Sequence, residues 1–185
     1  FLFLNPSLTL CTNIDFDHPD VFDSVEDVSN AYEKFFKQSG SLVVCADNKL
    51  ALETAKRSGV NFVSYGFSED AHVVVQNQAV TNSGSSFGIK TDKESIEGIE
   101  ISMYGNHNIL NAVGVCLILT ALGFEDAEIK FAIKDFKGAK RRFEVVYSND
   151  GLTVVDDYAH HPEEIKAIIK ASSDRYGIRP VVIFQ

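Results

Sequence analysis

Two rhythms of apolar and polar positions divide the chain. Residues 8–13, Leu-Thr-Leu-Cys-Thr-Asn, read as a β-run that ends in the acidic turn DFDHPD. In 24–37 the apolar residues Val25, Val28, Tyr32, Phe35 and Phe36 share one stripe of a 3.6-residue period. Ser24 and Asp27 suit a variant capping box and Gly40 ends the segment, so a helix is predicted. SLVVCA (41–46), a helix over 48–57 closed by Gly59, and NFVSYG (61–66) follow in the order of a βαβ unit on a parallel sheet. From His72 to Met103 the rhythm shortens to HVVVQ, SFGIK and IEISM, split by NSGSS and TDKESIEG, which predicts hairpins or a small antiparallel sheet. An almost unbroken apolar helix over 107–122 ends at Gly123, and an amphipathic one over 125–136 has Ile129, Ile133 and Phe136 in register.

Gly138 and the basic residues around it break this pattern. Beyond them FEVVYSNDGLTVVDD reads as a hairpin turning at Asn149, Asp150 and Gly151. Pro162 suits the first position of a helix whose apolar face is Ile165, Ile168 and Ile169, and VVIF (181–184) then reads as a buried strand. The expected class is α/β, in two parts: residues 1–138, a mixed sheet with helices, and residues 139–185, the opening β-α-β of a second α/β domain. No internal repeat or low-complexity tract occurs.

Composition supports a packed core and narrows the partners. The 185 residues are 45% apolar and 23% charged, which excludes intrinsic disorder and a disulfide-stapled miniature fold. The length suits one domain or two partial ones. Because Phe1 opens directly into an apolar stretch and PVVIFQ stops inside an apparent strand, two domains cut at both outer ends are expected. A net charge of −9 repels nucleic-acid phosphates, and the single basic cluster, Lys137, Lys140, Arg141 and Arg142, is too short for a nucleic-acid footprint. Cys11, Cys45 and Cys116 are scattered in apolar runs and read as core residues in a reducing compartment. With neither a membrane-length apolar run nor a signal peptide, a soluble cytoplasmic protein with no membrane partner is expected.

Four of the five histidines lie in three short polar motifs. In Asn13-Ile14-Asp15-Phe16-Asp17-His18, at the carboxyl end of a predicted strand, His18 with Asp15 and Asp17 can meet a divalent metal. A solvated turn whose aspartates cap amides is the structural alternative. In Gly105-Asn106-His107-Asn108 with Asn111, two carboxamides three residues apart share a helix face and can read a purine edge. The alternative makes Asn106 or Asn108 an N-cap. In Asp156-Asp157-Tyr158-Ala159-His160-His161-Pro162, at a strand-to-helix crossing, an aspartate can hold a ribose and a histidine a developing anion; otherwise Asp157 caps the helix and His161 is simply exposed. Arg142 reads as a solvated linker residue or as a clamp on a nucleotide phosphate.

In this order and spacing the motifs resemble the Mur ligases, the ATP-dependent amide-forming enzymes of bacterial cell-wall synthesis. TNIDFDHPD is similar to the family's Thr-Asn-Ile and Asp-His-x-Asp segment, GNHNILNA to its Gly-x-His-Asn-x-x-Asn-Ala helix start, and GAKRRFE with VVDDYAHHP to the start of its C-terminal domain. The resemblance implies the rear of the central ATP-binding domain followed by the front of a Rossmann-like C-terminal domain. It also implies ATP and Mg²⁺ as cofactors, and the RRFE and DDYAHHP pair is most like the branch that joins L-alanine to UDP-N-acetylmuramate through an acyl phosphate. A sister branch attaches recycled tripeptide to the same sugar nucleotide. Carried over by position, His18 matches a magnesium ligand, Asn108 and Asn111 the adenine contacts, and Arg142 an arginine near the ATP phosphates. Asp156 matches the ribose contact, and Tyr158 and His160 positions near the nucleotide and the reacting groups. The family's Gly-x-x-Gly-Lys-Thr phosphate loop is not among these residues, so this chain alone is expected to be inactive. The lysine that some sister ligases carbamylate has no counterpart near Asn30 to Tyr32, and Lys34 is only a neighbour. Outside this family, a metallohydrolase would need His18 and His160 on one metal, and a non-catalytic nucleotide-binding module would bind without turnover.

Overall fold

A computed structural model describes residues 1–184. Its main body is one six-stranded sheet in the order β1 (Thr9–Cys11), β2 (Leu42–Cys45), β3 (Phe62–Gly66), β4 (Val73–Thr81), β5 (Gly84–Lys90) and β6 (Ser95–Ile101). The first four strands pair in parallel and the last three as an antiparallel meander. The expected small antiparallel sheet is therefore continuous with the parallel one, joined where Tyr65 and Gly66 meet Val73 and Val74.

Helices cover both faces. Helix α1 (Val25–Lys37) starts where the Ser24 hydroxyl accepts the Asp27 amide, and α2 (Lys49–Ser58) runs from an Asn48 cap to left-handed Gly59. They pack over Leu42 and Val44, with Val28, Phe36, Ala51 and Ala55 in the same cluster. Val43 and Cys45 point the other way. They meet α3 (Asn106–Ala121) and α4 (Asp126–Asp135) in a second cluster that holds Tyr65, Val75, Phe87, Ile101, Val113 and Ile129. The alternation along β2 thus sets the layers: a strand buried on both faces, between two helical sheets of side chains. All three cysteines lie in this core, where burial pushes the Cys11 thiol up to about 12 and that of Cys116 to about 11.

Residues 136–143 carry no helix or strand and lead to the hairpin of β7 (Glu144–Asn149) and β8 (Leu152–Asp156). Asp150 and Gly151 both have positive φ, 52° and 78°, as a two-residue type I′ turn requires, and Asn149 pairs with Leu152 across it. Helix α5 (Pro162–Tyr176) opens on Pro162 and closes on left-handed Gly177. Two expectations need correction. NSGSS and TDKESIEG are not wholly loops, since β5 begins at Gly84 and β6 at Ser95. The VVIF segment forms no strand: Val181 and Ile183 are 94% and 95% exposed, because no neighbouring strand among the described residues offers a ladder or a covered face.

A third cluster joins the two parts. Tyr104, Phe143 and Ala171 are buried together, with Val155, Ile168 and Tyr176 around them. The Arg175 guanidinium lies 3.9 Å from the centroid of the Tyr104 ring. Gly105, with φ +93°, makes the close approach possible, because a Cβ there would come within 2.9 Å of the Ala171 methyl.

Candidate functional site

The three polar motifs start on different elements and end beside one another. The chain leaves β1 at Cys11, and Asp15 and Asp17 fold back on their own backbone, each accepting the amide of the next residue at 2.8 and 2.7 Å. His18 takes a left-handed φ of 56°, lies exposed, and places its Nε2 3.8 Å from Asp17. The His18 backbone amide holds the Asp17 carboxyl below the usual range, against a desolvation that raises it, and the charges of His18, His161 and His160 add to the lowering. Asp15 reaches across to the third motif, its Oδ2 3.5 Å from His161 Nδ1. His161 is thus half-buried against a carboxylate and not a free surface residue.

The second motif opens α3. Gly105 occupies the N-cap without a side-chain bond, so neither Asn106 nor Asn108 caps the helix. Instead Asn108 donates its Nδ2 back to the Tyr104 carbonyl at 2.8 Å, leaving its Oδ1 to accept. Asn111, one turn on, is exposed, and its side chain forms no hydrogen bond among the described residues. His107 is half-buried, and burial pushes its imidazole below the ordinary value. The Asp157 charge opposes that shift, Arg142 adds to it, and Glu164 opposes it. These three residues all belong to the second part of the chain, so His107 marks where α3 meets it.

The third motif follows β8. Asp157 does not cap α5; its carboxylate accepts the amides of Phe143 at 2.7 Å and Ala159 at 2.8 Å, fixing the linker to the loop. Asp156 lies 3.3 Å from Arg141 Nε, and that guanidinium stacks over the Tyr158 ring at 5.0 Å. His160 turns its Nδ1 to the Tyr158 carbonyl, 3.1 Å away, and its ring meets the Tyr158 ring edge-on at 5.5 Å. Arg142 lies 3.5 Å from Glu164.

Glu164 is the residue that sequence reasoning passed over. Its carboxylate accepts the amides of both His160 and His161, at 3.2 and 3.3 Å, and faces His160 Nδ1 at 3.6 Å. Desolvation raises its pKa, but those two amides with the charges of Arg142 and His160 outweigh it and leave the group lowered. The signal was present, since a glutamate three residues into a helix is half of a capping box. Arg175 left no such mark, because a cation in a last helical turn usually answers the helix dipole alone.

The polar groups here are of the kind that can meet a purine nucleotide. The Asn108 Oδ1 and the Asn111 carboxamide are available to a base edge, and Asp156 and Arg142 lie at the hairpin end and the linker. By contrast, no group of three His, Cys, Asp or Glu side chains close enough to share a metal ion occurs among the described residues. A hard cation such as Mg²⁺ prefers oxygen ligands to the His18 imidazole. The metallohydrolase arrangement, two histidines and two carboxylates around one ion, is therefore not what the fold builds.

Known proteins share this fold. Residues 2–119 match the Mur ligase middle domain, and residues 141–185 match the Mur ligase, glutamate ligase domain. The chain is 38% identical over 188 residues to UDP-N-acetylmuramate–L-alanine ligase of Streptococcus thermophilus, covering 100% of this chain and 42% of that protein. The chain therefore spans less than half the length of that relative. Among solved structures, UDP-N-acetylmuramate-alanine ligase of Thermotoga maritima superposes with a TM-score of 0.81 at 22% identity, covering 96% of this chain and 40% of that one. A Thermotoga maritima MurF ligase in complex with ADP superposes at 0.72 with 20% identity, over 92% and 39%. With residues 2–119 matched to the middle domain and 141–185 to the C-terminal one, the chain belongs to the Mur ligase family.

Proposed function

We propose that the protein carrying this chain is a cytoplasmic, ATP-dependent ligase that joins L-alanine to a carboxylate of UDP-N-acetylmuramate. One observation carries the reading: three motifs distant in sequence meet at the junction of the two parts, in a chain that aligns end to end with relatives bearing that name. In the relatives' order, we assign residues 1–138 to the rear of the central domain and 139–185 to the front of the C-terminal one.

An amide does not form from a carboxylate and an ammonium in water without activation. ATP as substrate supplies it, its terminal phosphoryl passing to the carboxylate oxygen with ADP leaving. The neutral amine of L-alanine then attacks the acyl carbon and phosphate departs. Such chemistry needs positioning and charge neutralisation more than a nucleophilic side chain. Asn108 and Asn111 are assigned to the adenine edge, Asp156 to the ribose hydroxyls, and Arg142 to the phosphates. Tyr158 packs near the nucleotide, and His160 lies near the reacting groups. His18 is assigned to Mg²⁺ that would arrive with ATP, held through a coordinated water, in keeping with that ion's preference for oxygen. Two of these residues already hold partners, Asp156 with Arg141 and Arg142 with Glu164, and substrate contacts would compete with or add to those pairs.

The test is made in the whole protein, by ADP formation that depends on both UDP-N-acetylmuramate and L-alanine. Asn111→Ala is expected to raise the KM for ATP about tenfold, the loss of about 1.4 kcal/mol of uniform binding, with the KM for L-alanine unchanged. Turnover that requires a tripeptide in place of L-alanine, or none with either, overturns the assignment. These 185 residues, in which no Gly-Lys-Thr phosphate loop occurs, are expected to give no turnover alone.

A further inference from the structure

The cavity at the junction of the two parts is separate from the nucleotide face. It has a volume of about 450 Å³, within the range of small-ligand sites, and is walled by the linker, the β4–β5 turn and the end of α5. None of His18, Asn108, Asn111, Asp156, Tyr158 or His160 lines it, and Arg142 is the one residue it shares with the candidate site.

Its charge runs against that of the molecule. The chain holds 26 acidic and 17 basic residues, yet Lys137, Lys140, Arg142 and Arg175 line this cavity with Glu144 as its one acid. That acid is already engaged, its carboxylate accepting the Arg141 amide at 2.8 Å. Among the described residues, Lys137, Lys140 and Arg175 have no carboxylate within ion-pair distance. Lys137 instead donates to the Ser102 hydroxyl at 3.3 Å. The Arg175 guanidinium carbon lies 3.9 Å from the Tyr104 centroid, and among the described residues none of its N–H groups forms a hydrogen bond. Cations brought together around a concave surface repel one another, and that repulsion is relieved when an anion enters.

We propose that this cavity is a binding site for a small multivalent oxyanion of the phosphate or diphosphate class. The anion would draw Lys137 and Lys140 of the linker toward Arg175 of α5, tying the linker to the far end of the second part. The proposal does not depend on the ligase reading, since it uses only the cavity and its charges.

Calorimetric titration of this chain with inorganic pyrophosphate, orthophosphate and ADP, in about 50 mM salt where screening is weak, tests it. Saturable one-to-one binding of pyrophosphate is expected, weakening at higher salt. The double variant Lys137→Gln/Lys140→Gln should lower the affinity at least about fivefold, the weight of one or two charge-assisted contacts. Both side chains are on the surface, and circular dichroism of the variant confirms its fold. Asn111→Ala, on the nucleotide face, should leave pyrophosphate binding unchanged. Absence of saturable binding, or binding that the double variant keeps, overturns the proposal. So does binding of ADP alone that Asn111→Ala abolishes, since the anion would then be the tail of a nucleotide held elsewhere.

Discussion

His107 is the residue at which burial and charge meet most directly. Its folded-state pKa lies below the ordinary 6.5, with burial the largest cause. In the window between that lowered value and 6.5, the unfolded chain binds a proton that the native one refuses. Stability is therefore intact above pH 6.5 and falls as pH drops through the window. Urea melts at pH 5, 6, 7 and 8 should show this loss in the parent chain and a shallower slope in His107→Gln. Equal slopes would place the imidazole outside the junction. Glu164 works in a lower range and in the usual sense of a carboxylate, its contribution present above the unfolded value and lost as pH falls through the depressed one. The two effects separate on the pH axis.

At the scale of elements, stability follows from which stripe each helix turns inward. Phe36 of α1 is fully buried, while Val25, on the same predicted stripe, remains 47% exposed. Phe36→Ala should cost about 3–5 kcal/mol by denaturant melting, and Val25→Ala under about 0.5 kcal/mol. Elements with local signals were legible in the sequence: Ser24 announces α1, Gly59 closes α2, and Asp150 with Gly151 turns the hairpin. Elements whose limits depend on a partner were not. β4 runs through polar Gln76, Asn77 and Gln78 because its backbone pairs with β5 on both sides of a bulge, and Glu97 of β6 accepts from both Gln76 and Asn77, contacts no local pattern shows. VVIF has strand-forming residues and lacks a neighbour. The site divides in the same way. The motifs with His18, Asn108 and His160 stood out by composition and Glu164 carried the local mark of a capping box, whereas Arg175 meets Tyr104 only when α5 docks.

In the whole molecule, the junction is held by one aromatic and cationic stack more than by ion pairs. Tyr104 anchors it from the first part, bonding the Asn82 carbonyl through its hydroxyl, and Phe143 and Arg175 close on it from the second. Arg175→Ala should leave the six-stranded body folded and speed proteolysis of the segment between Phe136 and Phe143, with Arg175→Lys intermediate. The expected loss is about 1–2 kcal/mol of docking. Unchanged cleavage would assign the docking to the surrounding apolar contacts alone. The stack also decides what kind of joint this is. A hydrogen bond fails when its angle changes, but a cation over a ring is attracted across the whole face and tolerates rotation about the ring normal. The contact between the two parts is thus one that keeps its attraction through small rotations about the ring normal, beside a linker in which Gly138, Arg141 and Phe143 take left-handed backbone.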